Sequence, residues 1–161
     1  MDVTVRAYEP QDLEAITAIW NKVVEDAEAF PQTEPMTPTE AAQFFAEQSH
    51  TGVAVDGEEV LGLYILHPNN IGRCGHISNA SYAVGANARG RGVGEALVRD
   101  SLLQGRRLGF RLLQFNAVVC TNTYAIRLYK KLGFQQLGTV PGGFRLGDGS
   151  YTDILLFYIE L

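Results

Sequence analysis

The chain has 161 residues, 46% of them hydrophobic and 19% charged, with 13 Lys and Arg against 18 Asp and Glu for a net charge of -5. That size suits one compact domain with a full core, so a single domain over residues 1–161 is expected. An acidic balance disfavours nucleic acid as a partner, which would call for a basic surface. No apolar run reaches the roughly 18 residues of a membrane span, and the N-terminus carries Asp2, Arg6, Glu9, Asp12 and Glu14 where a signal peptide would be apolar. Neither Cys74 nor Cys120 lies in a C-x-x-C pair, and His50, His67 and His76 are scattered. No metal site is expected, and two free thiols fit a cytoplasmic location.

Val3, Val5 and Ala7 alternate with polar residues as a first strand. Leu13, Ile16, Ile19, Trp20 and Val23 recur at helical spacing and predict a helix over about 12–28. Three prolines interrupt residues 31–38, and Thr37-Pro38-Thr39-Glu40 opens a second helix. Residues 52–55 and 60–66 read as a hairpin around Asp56-Gly57, and 77–84 as a fourth strand. After Gly90, Gly92 and Gly94 a third helix begins. Residues 112–119 form an apolar strand, 123–132 a helix stopped by Gly133, and 134–139 and 154–159 the last strands. The glycine-rich stretch 141–149 reads as their connection. The order β-α-α-β-β-β-α-β-α-β-β implies an α/β class of the α+β kind: a mixed sheet with helices on both faces.

Arg89-Gly90-Arg91-Gly92-Val93-Gly94 joins a strand to a helix. Glycines permit a tight turn and close approach of a ligand, and unpaired N–H groups at a helix start favour an anion such as a pyrophosphate. Arg89 and Arg91 can add charge. The turn is not a P-loop, because Arg91-Gly92 follows Gly90 in place of Lys and Ser or Thr. It is not a dinucleotide fingerprint either, because position 95 is Glu95. On the glycines alone, a structural turn remains open.

The whole segment from Val84 to Gly94 resembles the acetyl-CoA motif of the GNAT superfamily of N-acetyltransferases: Arg or Gln, two residues, Gly, one residue, then Gly or Ala. Here it reads Arg89, Gly92, Gly94. A second motif of that family follows as Asn122-Thr123-Tyr124-Ala125, then Tyr129 and Gly133-Phe134. The resemblance covers nearly the whole chain. It implies a sheet of about seven strands with four helices, splayed between strands 4 and 5, and acetyl-CoA as cosubstrate. It also implies that the backbone of Arg89, Gly90, Arg91, Gly92, Val93, Gly94 and Glu95 cradles the pyrophosphate. Ala83 and Val84 would pair with the pantetheine arm through their main chain. Asn122 and Ala125 would stand at the cofactor, and Tyr129 near the sulfur as the catalytic hydroxyl. Tyr129 lies seven residues after Asn122, about two helical turns, so both share a side. An N-cap role for Asn122 and a packing role for Tyr129 remain open.

The strands Gly75-His76-Ile77-Ser78-Asn79-Ala80 and Phe115 to Asn122 look like those of the fungal azetidine-2-carboxylate acetyltransferase branch. That likeness implies that Asn79 and Asn116 bind the acceptor. An amide in an apolar strand needs partners, and backbone bonding at the splay is the alternative. The resulting expectation is an enzyme that acetylates the amine of a small molecule, an amino acid or proline-like analogue, by direct attack on the thioester. A peptide acetyltransferase and a noncatalytic acyl-CoA-binding module are the alternatives, and a homodimer is left open. Many relatives place a basic glutamate on the fourth strand. Here His76, Ser78 and Asn79 stand there, so the base is open among His76, Glu25, Glu28 and a water chain.

Overall fold

The computed structural model describes residues 2–161. The elements run β1 (Thr4–Ala7), α1 (Leu13–Asp26), α2 (Pro38–Ala46), β2 (His50–Asp56), β3 (Glu59–Pro68), β4 (Ile77–Val84), α3 (Val93–Arg107), β5 (Leu112–Val119), α4 (Thr123–Lys131), β6 (Gln135–Arg145) and β7 (Tyr151–Glu160). All seven strands join one sheet in the order β1-β2-β3-β4-β5-β7-β6. Every pairing is antiparallel except that of β4 with β5.

Local chemistry explains the element ends. The Asp12 carboxylate accepts two bonds from the Arg6 guanidinium, at 2.7 and 2.9 Å, and one from the Glu9 N–H at 2.9 Å. This ties β1 to the entry of α1. Thr37 and Glu40 cap α2 reciprocally, with Pro38 in the first turn where no N–H is needed. β2 and β3 turn through Gly57, whose φ of 60° suits glycine.

Alternation along the strands sends side chains to two cores. Ile16, Trp20 and Val24 of α1 and Phe45 of α2 pack on Val53, Leu63, Ile65 and Ala83 on one face. Leu97 and Val98 of α3 and Leu128 and Tyr129 of α4 pack on Tyr64, Leu66, Leu113, Phe115 and Phe157 on the other. No helix among the described residues is long and apolar enough to cross a membrane.

Two expectations need correction. The first helix ends at Asp26 rather than near Glu28, because Ala27 turns left-handed at φ 54°. The glycine-rich stretch 141–149 is not wholly a connection: β6 continues to Arg145, with register shifts between Gln136 and Gly138 and between Val140 and Phe144. The second bulge absorbs residues 141–143, so a glycine-rich segment stays in a strand.

Candidate active site

β4 and β5 pair only at Ile77 with Leu112 and Ser78 with Leu113. Beyond that point the strands separate, and the main chain of residues 79–84 faces a gap on the side away from β3. Two side chains fasten the apex. Ser78 Oγ donates to the Leu112 carbonyl at 2.8 Å, and Asn79 Nδ2 to the Gln114 carbonyl at 2.8 Å. The second arm carries an irregularity of its own, a register shift against β7 between Phe115 and Val118.

At the open end stands the glycine-rich turn. Gly90 and Gly92 hold φ of 80° and 77°, values strained for other residues, and a Cβ at either would meet nothing within 4 Å. The Ala96 N–H bonds the Gly92 carbonyl at 3.1 Å as α3 begins. The N–H groups of Val93, Gly94 and Glu95 precede that bond and have no helical acceptor. This donor set, with the helix dipole behind it, fits a pyrophosphate. Arg89 lines the space beside it, whereas Arg91 and Glu95 have partners elsewhere. Arg91 reaches Asp56 at 3.1 Å and Glu59 at 3.6 Å on the β2–β3 hairpin. Glu95 bridges Arg99 at 3.0 Å and Lys131 at 2.6 Å, which holds its carboxyl below the usual range. Gly94 admits Tyr124 closely: a Cβ there would lie 3.2 Å from the Tyr124 hydroxyl.

The start of α4 forms the facing wall. Asn122 Oδ1 accepts from the Ala125 N–H at 3.3 Å, so it caps the helix. Its amide NH2 makes no hydrogen bond among the described residues. Tyr129 is buried among Tyr82, Phe115, Phe134 and Phe157, with the Phe115 ring 4.4 Å away. Burial alone pushes its phenol well above the ordinary value, so it stays protonated. Its hydroxyl has no hydrogen-bond partner among the described residues.

These parts enclose a cavity of about 470 Å³ that passes through the gap from one helical layer to the other. Ala83, Val84, Arg89, Gly90, Gly92, Val93 and Gly94 line it from β4 and the turn. Asn122, Ala125 and Tyr129 line it from α4. Of the expected cofactor residues, Arg91 and Glu95 do not line it with their side chains. Sequence reasoning missed Val23, Ala29, Tyr82, Thr121 and Tyr124, which also line it. The one sequence signal was that Tyr124 lies inside the second motif, Asn122-Thr123-Tyr124-Ala125; its approach to Gly94 needed coordinates to be seen.

Asn79 and Asn116 do not line this cavity. By alternation they share the sheet face of α1 and α2 with Gln114. Asn116 Nδ2 donates to Asn69 Oδ1 at 2.6 Å, and its Oδ1 accepts from Gln114 Nε2 at 3.1 Å. His76 lies at the closed end of the splay, eight residues before Val84 and therefore about 25 Å away. Cys120 Sγ faces Thr152 Oγ1 at 3.0 Å, with no histidine beside it. Of the two acidic candidates at the end of α1, Glu28 lines the cavity and Glu25 does not.

Comparison with known proteins agrees with this geometry. The model of the Acetyltransferase (GNAT) family matches residues 16–134. The chain is 31% identical to the N-acetyltransferase aca1 of Schizosaccharomyces pombe, over 90% of this chain and 78% of that protein. It is 29% identical to the putative phosphinothricin acetyltransferase YwnH of Bacillus subtilis, over 99% of both. A GCN5-related N-acetyltransferase from Kribbella flavida superposes with a TM-score of 0.92 at 38% identity, covering 99% of this chain and 98% of that one. Other structures of this fold were solved with acetyl-CoA bound. The chain belongs to the GNAT family of acetyltransferases, and acetyl-CoA is its acyl donor.

Proposed function

We propose that the protein acetylates the amine of a small molecule that also carries a carboxylate, an amino acid or a proline-like analogue. The observation that carries this reading is the cavity through the β4–β5 gap, which joins the pyrophosphate turn to Tyr129 and reaches the end of α1. Its α1 end, lined by Val23, Glu28 and Ala29, is where an acceptor beside the acyl donor would sit. The β6–β7 tip also crowds α1: a Cβ on Gly147 would lie 3.1 Å from the Ala27 Cβ. A peptide groove would need these segments apart. The name of YwnH, a putative phosphinothricin acetyltransferase, supports a small-molecule amine as acceptor class. Cys74 and Cys120 are free thiols and suit a reducing cytosol as the place of action.

In this reading the N–H groups of Val93, Gly94 and Glu95 hold the pyrophosphate. The main chain of Ala83 and Val84 pairs with the pantetheine arm as an added strand would. A main-chain N–H near Val84 steadies the oxygen that gains charge as the amine attacks the thioester carbonyl. Tyr129 donates a hydrogen bond to the departing thiolate. A thiol has a reference pKa of about 8.5 against about 10 for tyrosine, and burial lifts Tyr129 further. Stabilisation by the bond, rather than full proton transfer, is therefore its contribution. Asn79 and Asn116 stand outside the cavity on the α1/α2 face, and each uses one of two amide N–H groups, so each keeps a donor for the carboxylate of an acceptor that extends from the cavity along that face.

Thiol release in the presence of acetyl-CoA and a panel of free amino acids, cyclic imino acids and short peptides tests the reading. Turnover is expected with carboxylate-bearing small amines. Turnover confined to peptide amines would overturn it. With the best acceptor, Asn79→Ala and Asn116→Ala should raise its KM or lower turnover roughly 10- to 100-fold, with acetyl-CoA affinity intact.

A further inference from the structure

We propose that Glu28 is the carboxylate that takes the proton from the acceptor's ammonium group. This rests on the acetyl-transfer reading above and supplies the base that β4 lacks.

Three observations place it. Glu28 is the only acidic side chain lining the cavity among the described residues, and it makes no hydrogen bond or ion pair with them. It enters from the α1 side of the sheet, whereas Tyr129 enters from the α4 side. The two groups therefore stand at opposite mouths of one gap, as a proton acceptor for the incoming amine and a donor for the leaving sulfur should.

The backbone around Glu28 is held in an unfavourable form to achieve this. Ala27 is the only non-glycine residue at positive φ, 54°, among the described residues, and alanine has no local reason to adopt it. Such strain persists where the surroundings enforce it, and it clusters at functional sites. Both flanks enforce it. Phe30 is buried against Trp20, with ring centroids 4.4 Å apart, and Gly147 of the β6–β7 tip packs on Ala27. A helix continued through Ala27 would carry Glu28 onward along the axis of α1. The left-handed turn brings residues 28 and 29 to the cavity instead.

The chemistry balances. The ammonium N–H bond breaks and the proton goes to the Glu28 carboxylate, which is exposed and passes it to solvent. The freed lone pair forms the C–N bond to the thioester carbonyl carbon, and the C–S bond breaks with its electron pair left on sulfur. The second amine proton leaves as the amide forms and neutralises the thiolate, so one proton reaches solvent per turnover.

The test compares Glu28→Gln and Glu28→Asp with the unaltered protein. Acceptor kcat/KM is followed from pH 6 to 10, with acetyl-CoA affinity read by calorimetry. Loss of about 10²-fold is expected for Glu28→Gln near neutrality. That loss should shrink as pH approaches the amine's own pKa, where solvent supplies the neutral amine. Glu28→Asp should recover part of the rate, and acetyl-CoA affinity should not change. Superimposable pH profiles, a loss equal at every pH, or weakened acetyl-CoA binding would each overturn the assignment. No turnover of any amine by the unaltered protein would instead remove the acetyl-transfer reading, and this proposal with it.

Discussion

The two cores of the sheet differ in one respect that bears on function. On the α1/α2 face the aromatic and aliphatic cluster includes no buried tyrosine and centres on Trp20, with Phe30, Phe44 and Phe45 at centroid distances of 4.4, 5.3 and 6.1 Å. The α3/α4 face holds three tyrosines. Tyr64 donates to Asp100 Oδ2 at 2.6 Å, and Tyr82 shares a bond of 2.7 Å with Ser101 Oγ. Tyr129 is 9% exposed against 0% for Tyr64, and its hydroxyl, which borders the cavity, has no partner among the described residues. Buried hydroxyls are almost always bonded, since leaving one unpaired costs about 1–3 kcal/mol. The first core is apolar packing edged by two threonine hydroxyls, that of Thr51 donating to the Phe45 carbonyl at 3.0 Å and that of Thr17 buried without a partner. The second is packing with two satisfied phenols and a third whose hydroxyl is left for something in the cavity.

Tyr129→Phe breaks this contrast most sharply. Turnover should fall about 10² to 10⁴-fold while the melting temperature holds or rises slightly, because no protein bond is lost. Steady-state kinetics beside thermal melts reads both. A lower melting point with normal turnover would make Tyr129 a packing residue. Trp20→Ala is the converse. It empties the first core and should cost about 3–5 kcal/mol in denaturant titration, with kcat of the folded fraction close to normal. Tyr64→Phe lies between them, costing about 1.5–3 kcal/mol because the Asp100 carboxylate loses a hydrogen bond. Acetyl-CoA affinity should not respond to it. A kinetic effect as large as that of Tyr129→Phe would show that the two phenols are not distinct in role.

How far the sequence disclosed these features follows from whether each depends on local or distant chemistry. The glycine-rich turn, the Asn122 cap and the period of each strand are local, and all were legible. Arg91 was read as charge for the anion, yet it serves Asp56, a residue 35 positions away. Asn79 was legible as an amide needing a partner, but the choice of the Gln114 carbonyl depends on where two strands part. The end of α1 was misread because alanine is the best helix former, and only packing against Gly147 and Phe30 explains the turn at Ala27. Tyr64 and Tyr129 look alike in sequence. Their difference lies wholly in what each hydroxyl meets.

The smallest expected effect concerns His50, which adjoins the satisfied part of the second core. Its ring lies 5.8 Å from that of Tyr64, and its buried Nε2 has no partner. Burial disfavours the charged ring and lowers the folded-state pKa below 6.5, while the Asp100 charge opposes this less strongly. The folded state thus prefers neutral His50, whereas the unfolded chain takes up a proton near pH 6.5. Its contribution to stability is therefore present above about pH 6.5 and lost as pH falls from there through the folded value. Asp12 does not confuse this window, because its bonds to Arg6 hold its carboxyl below the usual carboxylate range. Melting temperature should fall by a few degrees at most between pH 7.5 and 5.5. His50→Gln should flatten that slope without touching turnover. A slope that survives the substitution would show that the unpaired Nε2 carries no energetic weight.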